Sequence, residues 1–135
     1  MPLFEPIYEP FLIEHCRRDA WSLFKPEHFH NCYEIYYLAS GSITYFIRDA
    51  VYPIKHGDFI VIPPGNLHKT LPHQQPDHTR ILLYIKPDFL DHTLECPGFL
   101  EKNFPEPVII TGREKLASEL LDTLQKEAAI PDNAV

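Results

Sequence analysis

Short apolar segments rich in β-branched and aromatic residues recur along the middle of the chain, and residues typical of turns separate them. The predicted elements are a hairpin over residues 34–47, strands over 51–54, 59–62 and 80–85, and a polar, histidine-bearing loop over 69–79. Because short strands with frequent turns are typical of sandwiches and barrels, we expect a mainly β fold.

The residues before this region have a different composition. Prolines and aromatic residues are interspersed over residues 1–10, which predicts an extended arm rather than a helix. The apolar start of residues 11–15 predicts a first strand, and the polar mixture over 17–27 predicts a loop.

After residue 86 the pattern becomes largely helical. Pro87 is placed for the first turn of a short helix, and residues 105–110 form one more extended piece. Thr111 and Glu114 have the form of a capping box, and leucines at 116, 120, 121 and 124 follow at helical spacing to about residue 126. This leucine stripe either packs on the protein or, if exposed, forms a dimer face. We therefore predict a single globular unit, with an arm and barrel over 1–86 and a helical extension over 87–135.

Composition and charge exclude several classes of protein. The 135 residues are 44% hydrophobic, which suits one globular domain. The net charge is −7 and only Arg17 and Arg18 are clustered, so this stretch should not bind nucleic acid alone. No apolar run approaches the ~20 residues that span a bilayer, and no leader is apparent, so we expect no membrane partner and a cytoplasmic location. Three scattered cysteines, Cys16, Cys32 and Cys96, fit a reducing compartment.

Three histidines and one glutamate lie in two short segments. His28, His30 and Glu34 occupy the first, and His68 follows a proline–glycine turn in the second. Neutral imidazole and carboxylate are the usual ligands of divalent Zn, Ni, Fe and Mn, so the set predicts a transition-metal site. No Gly-x-Ser-x-Gly motif or phosphate-binding glycine loop occurs, so no catalytic nucleophile is predicted.

The spacing of these residues makes a geometric demand. Alternate side chains of a strand share a face, so His28, His30 and Glu34 are predicted to point the same way. Glu34 would lie about 13 Å beyond His30 on a flat strand, so the strand must coil or bulge. The alternative is that these residues are satisfied polar groups that line an empty or ligand-holding cavity.

Neighbouring residues have two readings each. Cys32 shares the inward parity and is either a small buried hydrophobe or a fifth ligand. Tyr36 and Tyr45 either line a ligand-binding cavity with their hydroxyls or fill the core. His73 and His78 flank the predicted polar loop and are expected to be solvated, with adventitious metal binding as the alternative.

Two motifs resemble those of the cupin superfamily. The first cupin motif, G-x5-H-x-H-x3,4-E-x6-G, is filled by His28, His30, Glu34 and Gly41, with Ser22 at the leading glycine position. The second, G-x5-P-x-G-x2-H-x3-N, is filled by Gly57, Pro63, Gly65 and His68, with Pro72 at the asparagine position. The resemblance implies a double-stranded β-helix, the jelly-roll barrel of cupins, followed by C-terminal helices.

Within the cupins the chain is most similar to the N-terminal sensor domain of AraC-type transcription regulators. The resemblance implies a barrel that binds a small-molecule effector, often a sugar, and helices that mediate a homodimer. It further implies that the effector alters how an N-terminal arm, here about residues 1–15, presents two helix-turn-helix units to DNA. Those units lie outside these residues, so we expect the natural chain to continue past Val135. The alternative is a small metal-dependent cupin enzyme, such as a dioxygenase, isomerase or decarboxylase, with the same four ligands.

Overall fold

A computed structural model of the chain describes residues 3–18, 26–72, 77–93, 97–112 and 132–134, together with the single residues 115, 118, 119 and 122. The strands are β1 (Leu3–Phe4), β2 (Phe11–Arg18), β3 (His28–Phe29), β4 (Tyr33–Ser40), β5 (Ser42–Ile47), β6 (Ala50–Lys55), β7 (Phe59–Ile62), β8 (His68–Pro72), β9 (His78–Ile85), β10 (Val108–Ile110) and β11 (Asp132–Ala134), and the helices are α1 (Pro87–Thr93) and α2 (Phe99–Asn103). No helix in these ranges is long and apolar enough to cross a membrane.

The strands form two sheets. Sheet I has the order β1-β3-β8-β5-β6, and sheet II has the order β10-β7-β4-β9-β2-β11. From β3 to β9 the chain passes repeatedly from one sheet to the other, which is the winding of a jelly-roll barrel. The prediction of a mainly β, cupin-like barrel is therefore confirmed.

The main core lies between the two sheets. Strand alternation turns one face of β4 and one face of β5 inward, and Tyr36, Leu38, Ile43 and Tyr45 from these faces are almost completely buried. The opposite face of β4 is also covered, because Tyr33 packs with Leu100 of α2 and donates a hydrogen bond to the Phe104 carbonyl at 3.1 Å. Burial on both faces explains the nearly continuous apolar run of β4.

The predicted hairpin over residues 34–47 is wrong. Strand β4 pairs with β7 and β9 in sheet II, whereas β5 pairs with β6 and β8 in sheet I. The turn at Gly41 therefore carries the chain between sheets, and the true hairpin is β5–β6. Residue pattern predicts both strands correctly, but a turn residue does not tell a hairpin from a sheet-to-sheet corner.

Two predicted loops are shorter than expected. Strand β8 occupies the first part of the loop predicted over 69–79, because its backbone pairs with β5 from Ile43 to Ile47. Strand β2 extends to Arg18, into the loop predicted over 17–27, because its last residues pair with the start of β9. In both places backbone pairing makes a strand of a polar sequence.

The C-terminal segment contributes to sheet II as well as forming helix. The extended piece predicted over 105–110 contains β10, which pairs with β7, and β11 pairs with β2 at the other edge. Residues 115, 118, 119 and 122 are helical and exposed, in agreement with the polar side of the predicted helix. The leucines at 116, 120, 121 and 124 and Glu114 of the capping box lie outside the described residues. The division of the chain at residue 86 stays a prediction.

Gly41 shows why the sheet-to-sheet corner needs glycine. Its φ is +91°, and a Cβ added there would lie 2.7 Å from the Asp77 carbonyl oxygen and 2.8 Å from the His78 Cβ. Gly65, in the turn before His68, also has a positive φ of +80°, but a Cβ there would meet nothing within 4 Å. A side chain at either glycine would strain the backbone, but only a side chain at Gly41 would also clash with neighbouring atoms.

We expect Gly41→Ala to lower the free energy of unfolding by about 2 to 4 kcal/mol, because strain and overpacking add. The matched control Gly65→Ala should cost about 1 kcal/mol, since only the backbone term applies. Urea unfolding of both variants measures the difference. Equal losses would show that the close approach at Gly41 is absent.

Candidate metal and effector site

Four side chains converge in the interior of the barrel. One ligand atom from each of His28, His30, Glu34 and His68 lies within 4.8 Å of the others, and all four residues are buried. His28 on β3 faces His68 on β8 directly across the ladder of sheet I, with ring centroids 4.3 Å apart. Glu34 comes from β4 in sheet II, so the cluster joins the two sheets.

The chain brings Glu34 to the histidines by changing sheets. Strand β3 ends at Phe29, a bend follows at Asn31 and Cys32, and β4 begins at Tyr33. The predicted single strand with a bulge is therefore replaced by two strands in different sheets. Gly65 fixes this bend, because its backbone N–H donates to the His30 carbonyl at 3.0 Å.

The three imidazoles are held in one tautomer by backbone carbonyls. Nδ1 lies 3.1 Å from the Pro26 oxygen in His28, 2.9 Å from the Glu5 oxygen in His30, and 2.8 Å from the Asn66 oxygen in His68. A carbonyl oxygen only accepts hydrogen bonds, so each Nδ1 donates. In a neutral ring the lone pair is then on Nε2, which is the atom available to a metal.

These lone pairs face a negative charge. Nε2 of His30 and of His68 lie 3.2 and 3.4 Å from the same oxygen of Glu34, Oε1. Burial raises the pKa of Glu34, but when His68 and His30 are protonated their charge and N–H groups outweigh it and hold the pKa well below its usual value. Neutral acceptors facing a carboxylate repel it unless a cation lies between them. The donor set therefore fits a divalent metal, and protonated imidazoles are the alternative source of positive charge.

Tyr45 holds the second oxygen of this carboxylate. Its hydroxyl donates to Glu34 Oε2 at 2.5 Å, and both groups are buried. Burial and the charge of Glu34 raise the pKa of Tyr45 well above its usual value, so the phenol keeps its proton. Glu34 is thus oriented from one side by Tyr45, and its Oε1 is directed at the histidines.

The sequence did not predict the residues that hold the turn before His68 in place. The Asn66 side chain donates to the Pro63 carbonyl at 3.0 Å and accepts from Arg48 Nε at 2.5 Å. Arg48, at the β5–β6 turn, also donates to Glu106 at 2.9 Å. Asn66 was predictable only as a turn residue, because its pairing with Arg48 joins two turns that are distant in sequence.

The other predicted pocket residues lie in the same interior. The rings of Tyr36 and Tyr45 meet edge to face, with centroids 5.1 Å apart. Burial raises the pKa of Cys32 to about 12, so its thiol is neutral and packs as a small hydrophobe. The group of described residues that could hold a metal comprises the three histidines and Glu34 and does not include Cys32, which stays a predicted pocket residue.

The inward face of β9 adds residues that were not predicted to line the site. His78, expected in a solvated loop, is 1% exposed. Arg80 lies with its guanidinium carbon 5.8 Å from the centroid of the Tyr36 ring, and the Tyr84 ring is 5.1 Å from that of His30. The period-2 alternation of 78, 80, 82 and 84 was the available signal for this polar face.

Solved structures with similar folds define the class of protein. A Cupin 2 conserved barrel domain protein from Salinispora arenicola is 21% identical, with a TM-score of 0.52 over 66% of this chain and 74% of that chain. A cupin protein from Bacteroides fragilis is 18% identical, with a TM-score of 0.55 over 62% of this chain and 71% of that chain. The class is the cupin-type β-barrel. Among curated proteins, none matches the sequence.

The family follows from the sequence. The AraC-like ligand binding domain matches residues 12–132, so the chain belongs to this family. ToxT from Vibrio cholerae, solved with bound (E)-4-(8-methylnaphthalen-1-yl)but-3-enoic acid, is 12% identical, with a TM-score of 0.56 over 88% of this chain and 49% of that chain. The chain thus spans about half the length of ToxT. The resemblance to AraC-type sensor domains is confirmed.

We expect Tyr45→Phe to lower the free energy of unfolding by about 2 kcal/mol, because a hydrogen bond to a buried carboxylate is lost. Tyr52→Phe, which alters a half-buried tyrosine packed against the same core, should change it by less than about 0.5 kcal/mol. Denaturant unfolding of the metal-free protein compares the two. A loss at Tyr45 no larger than at Tyr52 would contradict the proposed orientation of Glu34.

Proposed function

We propose that this chain is the effector-sensing and dimerising module of an AraC-family transcription regulator, with a divalent metal held in its barrel. The strongest support for this proposal is a buried cluster of four potential metal ligands in a domain of the AraC-like ligand-binding family. The cluster consists of His28, His30, Glu34 and His68. The module binds a small effector inside the barrel, for which the family resemblance suggests a sugar. The small organic acid bound by ToxT supports a small-molecule effector of some kind.

The metal would be held by the Nε2 atoms of the three histidines and by Glu34 Oε1. Zn, Ni, Fe and Mn all suit this ligand set, and availability decides among them. When bound, the metal supplies a Lewis-acidic anchor for an oxygen atom of the effector. The chain's own contribution is to fix three ring tautomers, keep Glu34 ionised, and surround the site with tyrosines.

The N-terminal arm is placed to sense the state of this site. The Glu5 carbonyl accepts the hydrogen bond from His30 Nδ1, and the Glu5 carboxylate lies 3.8 Å from His28 Nε2. Strand β1 pairs with β3, and Asn31 hydrogen-bonds both the N–H and the carbonyl of Ile7. Binding of a metal or effector at the site would therefore act on His28 and His30, the two histidines that the arm contacts.

Contact with DNA belongs to a helix-turn-helix half outside these residues. A net charge of −7 agrees with a module that does not grip phosphates itself. A homodimer would bring two such halves to one operator, and a regulator of this kind works in the cytoplasm, where the DNA is.

A metal-dependent cupin enzyme is the second candidate, and the same buried ligand set favours it. Three histidines and one carboxylate leave open positions on a metal, at which O₂ or a carbonyl is activated. Iron- and manganese-loaded protein that turns over a candidate substrate, when the metal-free protein does not, would favour the enzyme over the sensor.

We expect His30→Ala and His68→Ala each to weaken metal binding at least tenfold, because each removes one ligand. His56→Ala, at an exposed turn position, is the matched control and should bind as the wild type does. Elemental analysis of protein purified without nickel resin gives the metal content, and near-ultraviolet circular dichroism shows whether the barrel stays folded. Less than about a tenth of an equivalent in the wild type would refute metal occupancy.

We expect metal addition to slow hydrogen exchange in the arm, at the amides of Leu3, Glu5 and Ile7. These amides donate to Glu27, Phe29 and Asn31, next to the histidines that the metal would order. Amides of β6, at the far edge of sheet I, are the internal control and should not change. Equal protection of the arm amides with and without metal would contradict the proposed coupling between the metal site and the arm.

A further inference from the structure

A partly buried arginine on the inward face of β9 is absent from every cupin motif given above. Arg80 is on β9, in register with Leu38 of β4, and its guanidinium is over the Tyr36 ring. Its electrostatic neighbours are Tyr36, Tyr45, Glu34 and Tyr84, all of which have side chains in the barrel interior. The guanidinium therefore lies in the interior that contains the metal-ligand cluster.

This guanidinium has unused hydrogen-bonding capacity. Its Nε is buried and donates no hydrogen bond within the described part of the chain. In those same residues no acidic side chain forms an ion pair with Arg80. Burial lowers the pKa of Arg80, but the tyrosines and Glu34 outweigh it and raise the pKa, so the group stays charged. A charged N–H donor that is buried without an acceptor is costly, which favours an anion from outside the chain as the acceptor for Nε.

Glu34 cannot supply that anion, because both of its oxygens are engaged. Oε2 accepts from the Tyr45 hydroxyl, and Oε1 faces His30 and His68. With a divalent metal on the cluster, the charges of metal, Glu34 and Arg80 would leave an excess of positive charge in the interior. The ligand that completes the site should therefore carry a negative charge.

We infer that Arg80 is the anchor for the carboxylate of a small acidic effector bound inside the barrel. This rests on the proposed sensor function and narrows its effector to a class. A carboxylate matches the guanidinium fork with two parallel hydrogen bonds. Tyr36 and Tyr84 are both neighbours of the guanidinium, and aromatic rings beside a carboxylate anchor suit an aromatic acid or a sugar acid.

A phosphate is a poorer match. It presents three strong acceptor oxygens, more than a single guanidinium fork can pair. Among the described residues, Arg80 is the only lysine or arginine with a buried polar atom that lacks a hydrogen-bond partner. A carboxylate, with two acceptor oxygens, is therefore the better match for this one guanidinium.

The test titrates two matched pairs of probes, benzoate with benzamide and glucuronate with glucose, and inorganic phosphate. The readout is the Nε–Hε resonance of Arg80 in nitrogen-15 spectra, assigned by its loss in Arg80→Lys. We expect at least one acid to shift this resonance saturably, with a Kd on the order of 1 mM or better, and its neutral partner to have no effect. Isothermal titration calorimetry, which does not depend on the Arg80 resonance, should show that Arg80→Gln binds that acid at least tenfold more weakly, whereas the surface control Lys102→Gln binds it as the wild type does.

Three outcomes would overturn the inference: no saturable shift with either acid, equal shifts with the neutral partners, or a shift with phosphate alone. Metal content is measured in the same samples, because Arg80→Gln removes no proposed metal ligand. Full metal content without an acid effect would reject the Arg80 anchor alone. Absence of metal from the wild-type protein would instead reject the proposed metal centre.

Discussion

Three hydrogen bonds from imidazole Nδ1 to backbone carbonyls set the chemistry of this barrel. They fix His28, His30 and His68 in the tautomer whose lone pairs are on Nε2, the atoms grouped around Glu34. Free rings would divide between two tautomers, and some would present an N–H to the cluster instead. The carbonyls come from three separate segments, which the two sheets must hold in register. The chemistry of the centre therefore depends directly on the fold, because only the assembled barrel places these carbonyls beside the rings.

Sequence pattern predicted the strands well because alternation of side chains is a local property. It could not predict the pairing of β4 and β5, because the corner at Gly41 depends on a contact with Asp77 and His78, more than thirty residues away. Motif spacing identified the four side chains of the cluster. It did not identify the Glu5, Pro26 and Asn66 carbonyls that orient them. Every residue has a backbone carbonyl, and only the folded structure determines which of them lies beside each ring. His78 was missed because it lies within the loop predicted over 69–79, and Arg80 because it begins the strand predicted over 80–85 without belonging to either motif.

The interior combines apolar packing with an unusual density of ionisable groups. Glu34 and three tyrosines are buried, and Arg80 is partly buried, beside isoleucines and leucines of the main core. In such a low-dielectric region, charges interact strongly and uncompensated ones are destabilising. A barrel required only to fold would be more stable with apolar residues at these positions. The polar interior is therefore better explained by ligand binding than by stability.

The arm adds a means of reading the interior from outside. Its described contacts include a two-residue strand pairing, the Glu5–His30 hydrogen bond, the Asn31 contacts with Ile7, and hydrogen bonds from Lys86 to the Tyr8 and Pro10 carbonyls, and a single hydrogen bond is worth about 1 kcal/mol net. Leu3, Phe4 and Tyr8 remain exposed, whereas Ile7 packs against the main core. In the proposed sensor, a ligand that reorients His30 would shift the populations of docked and released states of the arm. A deeply packed strand could not respond in this way, which is why coupling through the arm is physically reasonable.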